Sequence, residues 1–379
     1  MPGVAFHASD LQISANGPRV LVFGGQRQGI QGSLYSFEQS TGDGYVLLPD
    51  SAEGTGPPAP ARTQHTITSV GAEPQSTLYL FAGFVLNVGC ENDLWSCTIS
   101  LDVSSMPVPT WERLEPSGEL PCARYGHSAT LLADKAKIVV FGGQDQTEQF
   151  NDVHLLDYAA ARWSQPAVSG TPPSVRVKHT ANAFGGSQIL VFGGFNRAVD
   201  VRVVADAYKL EVGGDGESAA WTTLKPEAPA GSKSIPPRAQ VRGLTRAGDQ
   251  SRSLPLPCLL LDSLSQHAAA VTGDGKYAFI FGGYDGTKCL NDLWLLDLGG
   301  MALRQIEVET PAPEPRSRHT VHIIGDVLHV FGGYDGSKPV SGDVFTLDVS
   351  DPSGLESGKE SGGDGKKKEE EKKEADDED

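Results

Sequence analysis

The sequence predicts an all-β protein: six copies of one four-stranded unit arranged radially as a six-bladed β-propeller. Three observations carry this. A short apolar strand ending in a pair of small residues recurs six times. Polar and aromatic residues keep the same order around each copy. Nowhere does an apolar period of 3.6 residues persist, so helices are not expected. A chain of 379 residues would ordinarily divide into two or three domains, but one closed β architecture can absorb that length.

The repeated strand, b, reads VLVFGG at Val20, LYLFAG at Leu78, IVVFGG at Ile138, ILVFGG at Ile189, AFIFGG at Ala278 and LHVFGG at Leu328. Successive pairs are 58, 60, 51, 89 and 50 residues apart. Upstream, Arg-x-x-His opens strand a at Arg62/His65, Arg124/His127, Arg176/His179 and Arg316/His319, with His7 and His267 in the histidine slot of the other two units. Downstream, Asn-Asp opens strand c at Asn92-Asp93, Asn151-Asp152 and Asn291-Asp292. Trp111, Trp163 and Trp221 mark strand d, with Tyr45 in that role in the first unit, and Pro-rich turns such as Pro172-Pro173 close the unit. The glycine pair allows a positive-φ turn and close packing where b gives way to c. Four antiparallel strands cannot bury both of their faces alone, so the copies must stack in a ring.

This order of residues resembles the kelch repeat: Gly-Gly after strand b, an aromatic downstream and a unit near 50 residues. The resemblance runs from about Phe6 to Ser350. The Trp-Asp dipeptide of the rival WD-type propeller is absent from these stations. Three departures stand out. Ala82 replaces the first glycine of its pair. The sixth unit shows strands a to c but no aromatic d before Asp351-Pro352, so its blade is three-stranded or closed in another way. Arg238 and His267 are 29 residues apart where the motif needs 3, which defines an insertion at 239–264 and explains the 89-residue spacing without a seventh blade.

The net charge of −17 argues against nucleic acid as the main partner, since phosphate neutralisation needs a basic surface. Five cysteines, an odd number without tight pairing, read as free thiols of a reducing compartment. The first twenty residues lack the basic and apolar regions of a signal peptide, and no run approaches membrane-spanning length. A cytoplasmic protein is expected, with the nucleus as an alternative. From 351 to 379 the sequence turns polar and charged. Lys359 to Asp379 holds 6 Lys and 10 acidic residues, the composition of a disordered acidic tail.

No converging acid–base or nucleophilic constellation is legible, and no cofactor is expected. The iron-binding Glu-x-x-x-Asp-x-x-x-His string of one kelch branch is missing; the nearest stretch, Glu148 to His154, has the wrong histidine spacing. Metal is not expected either. Cys-x-x-Cys is absent, and the odd separation of His319 and His322 puts them on opposite faces of one strand.

The arginines are the sharper signal. In a four-stranded antiparallel blade, the d-to-a and b-to-c connections fall on one rim, which the kelch resemblance implies is the partner-binding surface. That rim should collect Arg27, Arg62, Phe84, Arg124, Arg176, Phe195, Arg197, Arg238, Tyr284, Arg316, Arg318 and Tyr334. Arginine forks match carboxylates and aromatics supply contact area, so an acidic protein segment is the expected partner. Each arginine also admits a second reading, in which it pins neighbouring blades together. The insertion leaves from the same rim with an excess of Arg242, Arg246 and Arg252, fit to steer an acidic peptide or to hold the chain's own tail. The expected function is an interaction adaptor or scaffold. The alternatives are a sugar-acting or lyase-type enzyme using the central channel, and a structural subunit of a larger assembly.

Overall fold

The chain forms six β-sheets around a central channel, one per repeat unit. The structure is a computed structural model that describes residues 7–14, 17–25, 30–38, 45–48, 57–71, 76–101, 107–197, 206–227, 267–285, 288–308, 313–340 and 344–355. The insertion at 239–264, Arg27, Arg238 and residues 356–379 lie outside the described residues.

Blade I contains β1 (Ala8–Ser14), β2 (Gly17–Phe23), β3 (Leu34–Glu38) and β4 (Tyr45–Leu47). Blade II contains β5 (Arg62–Thr63), β6 (Thr66–Val70), β7 (Thr77–Val85), β8 (Gly89–Leu101) and β9 (Pro107–Leu114). Blade III contains β10 (Ser117–Gly118), β11 (Ser128–Leu132), β12 (Lys137–Phe141), β13 (Val153–Asp157) and β14 (Arg162–Ser164). In blade IV these are β15 (Ala167–Gly170), β16 (Thr180–Phe184), β17 (Gln188–Phe192), β18 (Ala207–Val212) and β19 (Ser218–Leu224). Blade V contains β20 (Ala268–Val271), β21 (Tyr277–Tyr284), β22 (Cys289–Asp297) and β23 (Leu303–Ile306). Blade VI contains β24 (Thr320–Ile324), β25 (Val327–Phe331) and β26 (Phe345–Asp348), three strands among the described residues.

Two features lie beyond the repeat pattern. The crossover leaving blade II lays β10 parallel to the outer strand β14 of blade III, and β15 runs along β19 of blade IV in the same way. A single parallel bridge from Glu227 to Ala302 repeats the arrangement at blade V. The fold also continues past Ser350. Arg304 on β23 donates to the Pro352 carbonyl at 2.5 Å, and Leu355 packs on the core between blades V and VI. The packed chain therefore extends to Leu355 rather than ending at residue 350.

The core sits between the blades. Each pair of neighbouring blades shares one apolar cluster, the last joining Val20, Val22 and Phe37 of blade I to Ile324 and Phe331 of blade VI. Five of the six wedges use one device. The phenylalanine that ends strand b meets the strand-a histidine of the next blade edge-on: Phe23–His65, Phe81–His127, Phe141–His179, Phe192–His267 and Phe281–His319 have centroids 5.0–5.4 Å apart. Where strand d carries tryptophan, the other side of the same ring packs on it, with Trp111, Trp163 and Trp221 at 4.9–5.1 Å. Aromatic pairs in these geometries add to simple area burial.

The histidines then bond across the blade boundary. The Nε2 atoms of His127, His179, His267 and His7 lie 2.9, 2.9, 3.2 and 3.2 Å from the hydroxyls of Thr66, Ser128, Thr180 and Thr320. Each hydroxyl belongs to the residue just after the preceding blade's ring histidine. In blade V that residue is Ala268, and His319 instead donates Nε2–H to the Phe281 carbonyl at 3.1 Å. The His7–Thr320 bond closes the ring.

The imidazoles of His65, His127, His179 and His319 are neutral. Burial, reinforced by the Arg124 charge, holds His127 down to about 3, and His65, His179 and His319 fall well below the usual range for the same reasons. The unfolded chain, with histidines near 6.5, binds more protons than the native one below that pH, so native stability declines as pH falls. Asp10 has the opposite sign: burial pushes its carboxyl up to about 6, a smaller counter-effect from one group. The thermal midpoint should be flat above about pH 7 and fall steadily from pH 6.5 to 4. His127→Gln should make that fall shallower. A midpoint constant over this range would refute the neutral ring.

Candidate functional site

The residues that recur at the d–a/b–c rim fall into two groups with different fates. Arg62, Arg124 and Arg176 are fully buried. Each makes the same clamp. The guanidinium donates to the carbonyl of the first small residue after strand b (Ala82, Gly142, Gly193), and pairs through both terminal nitrogens with the aspartate opening strand c (Asp93, Asp152, Asp206) at 2.7–3.0 Å. Nε donates to the carbonyl two residues back, at Pro60, Cys122 and Ser174. Arg316 is also buried and donates to the Gly332 and Glu314 carbonyls. The backbone carbonyl of each arginine accepts from the second glycine of a pair: Gly25 to Arg62, Gly83 to Arg124, Gly143 to Arg176 and Gly283 to Arg316, in each case from the preceding blade. That glycine sits at φ of 94–104°, and a Cβ at Gly83 would come within 2.6 Å of His65. Only glycine fits such a position.

The Asn-Asp station is consumed with them. Asn92, Asn151 and Asn291 donate to the Pro121, Pro173 and Pro313 carbonyls of the incoming turn. Two residues beyond the aspartate, Trp95, His154 and Trp294 donate to its second oxygen. Burial would raise the Asp93 and Asp152 carboxyls, yet their arginine partners outweigh it and hold both below the ordinary carboxylate range. The expectation that Arg62, Arg124, Arg176 and Arg316 meet a partner is therefore corrected. Their guanidinium groups are spent inside the fold, tying the chain that enters a blade to strand b and, for the first three, to strand c of that same blade. The arginine backbone carbonyl makes the link to the preceding blade. Phe195 is also buried, in a bridge to Val177.

The variable part of the motif stands beside the mouth, with Gln64 and Arg318 half-buried and Gly126 and Lys178 buried. The residue just before the ring histidine adopts the left-handed region in every Arg-x-x-His: Gln64, Gly126, Lys178 and Arg318, at φ of 55–67°. The amide of Gly126 donates to the Gln64 carbonyl and that of Lys178 to the Gly126 carbonyl, so the four residues begin an annulus over the channel. Together with the ring histidines they border a mouth of about 270 Å³. Arg318 lies over the Tyr334 ring at 4.7 Å; burial lowers its ordinary value to about 10, so it stays cationic at neutral pH. Around the mouth, Phe84, Tyr284 and Tyr334 are half-buried and Arg197 is exposed. The hairpin joining β7 and β8 lifts Leu86 and Val88 out of the rim, 52% and 68% exposed.

The rim thus brings together Phe84, Arg197, Tyr284, Arg318 and Tyr334 of the expected set. Gln64, Lys178, Leu86 and Val88 were missed. The signal for the first two was present: a variable position inside an otherwise fixed motif, next to the histidine.

A six-bladed ring with an arginine clamp in the blades and a polar mouth defines a kelch-type propeller. The family model "KLHDC2/KLHL20/DRC7 Kelch-repeats domain" matches residues 98–243 and 259–357, and the chain belongs to this kelch-repeat family. Among curated proteins it is similar to Kelch domain-containing protein 3 of Rattus norvegicus, 28% identical over 327 residues, covering 76% of this chain and 82% of the relative. The Homo sapiens protein of that name is 27% identical over the same shares. Host cell factor 2 of Homo sapiens is 27% identical over 294 residues, 74% of this chain and 31% of that protein.

Removing one arm of the clamp has a calculable effect. Arg124→Ala leaves Asp152 without its counter-charge, a loss of about 3–5 kcal/mol that Asp152's partial exposure places toward the lower end. Urea unfolding should show the drop, and Arg124→Lys should recover only part of it, since an ammonium cannot make the fork. Wild-type stability in Arg124→Ala would show that the clamp does not hold the blade.

Proposed function

We propose that this protein is an interaction module whose d–a/b–c rim docks an acidic segment of a partner protein. One observation carries the reading: on a chain of net charge −17, Arg318 borders the channel mouth from a backbone position that the fold itself fixes, and Arg197 stands exposed on the same rim. Carboxylates of the partner seat over these two cations, while Tyr284, Tyr334, Leu86 and Val88 supply apolar contact around them. Membership of the kelch-repeat family supports an interaction role. Cys90, Cys97, Cys122 and Cys289 carry no disulfide, which supports a cytoplasmic or nuclear setting, and no described helix is long and apolar enough to cross a membrane.

The test uses a fluorescent decapeptide rich in Asp and Glu, with an Asn/Gln counterpart as control, read by anisotropy at low salt. The acidic peptide should bind and weaken as salt rises. Arg197→Glu with Arg318→Glu should weaken it at least tenfold without lowering the thermal midpoint. Equal binding of the Asn/Gln peptide, or of the acidic peptide to the double variant, would discard the reading.

A further inference from the structure

The channel below the mouth has a different character. Its wall encloses about 510 Å³ and is built from the innermost strands β1, β6, β11, β16, β20 and β24, whose edges face inward. Three residues past the ring histidines stand Asp10, Thr68, Thr130, Asn182, Ala270 and His322. One step further, toward the a-to-b turns, stand Leu11, Ser69, Leu131, Ala183, Val271 and Ile323. The first level is mostly polar and the second mostly apolar. Lysine and arginine are absent from the described lining residues, and Asp10 is the one carboxylate among them.

Asp10 is under-compensated. Its oxygens accept from the backbone amides of Leu11 and Ser69, and its surroundings raise it to about 6, so it is ionised at neutral pH. His322 on the neighbouring β24 is neutral, pushed down to about 4 by burial, and bonds Ser9 instead. A carboxylate withdrawn from water in this way calls for a positive partner. Another acceptor shares the wall. Asn182 Oδ1 is buried and makes no hydrogen bond within the protein, and Asn182 stands at the level of Asp10 three blades round the ring.

We propose that this channel binds a primary alkylammonium group entering from the a-to-b end. The ammonium has three donors and no acceptor, which matches a wall offering a carboxylate and an unused amide oxygen but no cation among the described lining residues. The head sits at Asp10, and the alkyl stem lies along the collar of Leu11, Leu131, Val271 and Ile323. This site is separate from the acidic-segment rim: it lies at the other end of the channel and selects the opposite charge. The group can arrive on a small free amine or on a lysine side chain.

Calorimetric titration of the full chain with n-butylammonium chloride, against n-butanol at constant ionic strength, tests this. Saturable binding of the amine is expected, at least tenfold tighter than the alcohol. Asp10→Asn should weaken it at least tenfold. Ala183→Trp, an exposed collar position that leaves Asp10 intact, should block entry and keeps the test open if Asp10→Asn folds poorly. N-acetyl-lysine methylamide separates the sources: binding as tight as butylamine points to a lysine side chain, and binding of butylamine alone to a free amine. Equal affinity for alcohol and amine, undiminished binding in either variant, or no binding of either amine overturns the proposal.

Discussion

The fold depends on one repeated interaction, the buried arginine fork on the aspartate that opens strand c. Burying a guanidinium is costly unless it is paired and its remaining donors are satisfied. Here all three nitrogens of Arg62, Arg124 and Arg176 are engaged, by one carboxylate and two carbonyls each. The carbonyls come from the chain entering the blade and from the end of strand b, and the aspartate from the start of strand c. Three segments that meet only at this rim are thereby fixed to one planar group. The arginine's own carbonyl, held by the preceding blade's glycine, links that fixed point to the next wedge. Geometry passes round the ring from clamp to clamp.

This explains the division of labour within four residues. In Arg-x-x-His the arginine builds the blade and the histidine seals the wedge behind it. The first intervening residue bridges to the b-to-c loop, as Tyr125 does to Gln144 and Ser317 to Tyr334. The second is held in the left-handed region with its side chain at the mouth, and nothing in the scaffold dictates what that side chain must be. Gln64, Gly126, Lys178 and Arg318 differ accordingly. The motif offers a recognition surface one position wide per blade, carried on a backbone that cannot yield.

The sequence made the six blades legible because each wedge needs the same few side chains, and a shared physical need repeats as a shared spacing. The same logic hid the rim. Repetition of Arg62, Arg124, Arg176 and Arg316 marks them as serving the repeat, whereas the residues at the mouth are those that fail to repeat. Burial decides between these readings, and spacing carries no record of burial: an arginine three residues before a histidine reads identically whether its fork meets an internal aspartate or a partner's. Asp206 could have settled one case, since it lies where Asn-Asp places the aspartate in other blades, but alanine precedes it and the station went unread. The parallel edge strands β10 and β15 were equally silent, being two and four residues long with no apolar alternation.

Closure follows from the wedges and not from a shared sheet. The four described strands of blade I come from the beginning of the chain, and blade VI has three among the described residues, so no strand pairing joins the two ends among the described residues. The seam is made of side chains: His7 on Thr320, Ser9 on His322, and Phe37 edge-on to Phe331 at 5.3 Å. Blade VI gains support from behind, where Val349 donates to the Asp326 carbonyl and Arg304 of blade V holds Pro352. A seam of this kind costs little chain entropy to specify only if the other five wedges have already set the curvature. The ring therefore closes through the same kind of side-chain wedge that joins the other blades, with the arginine clamp fixing blades II, III and IV that stand between its ends.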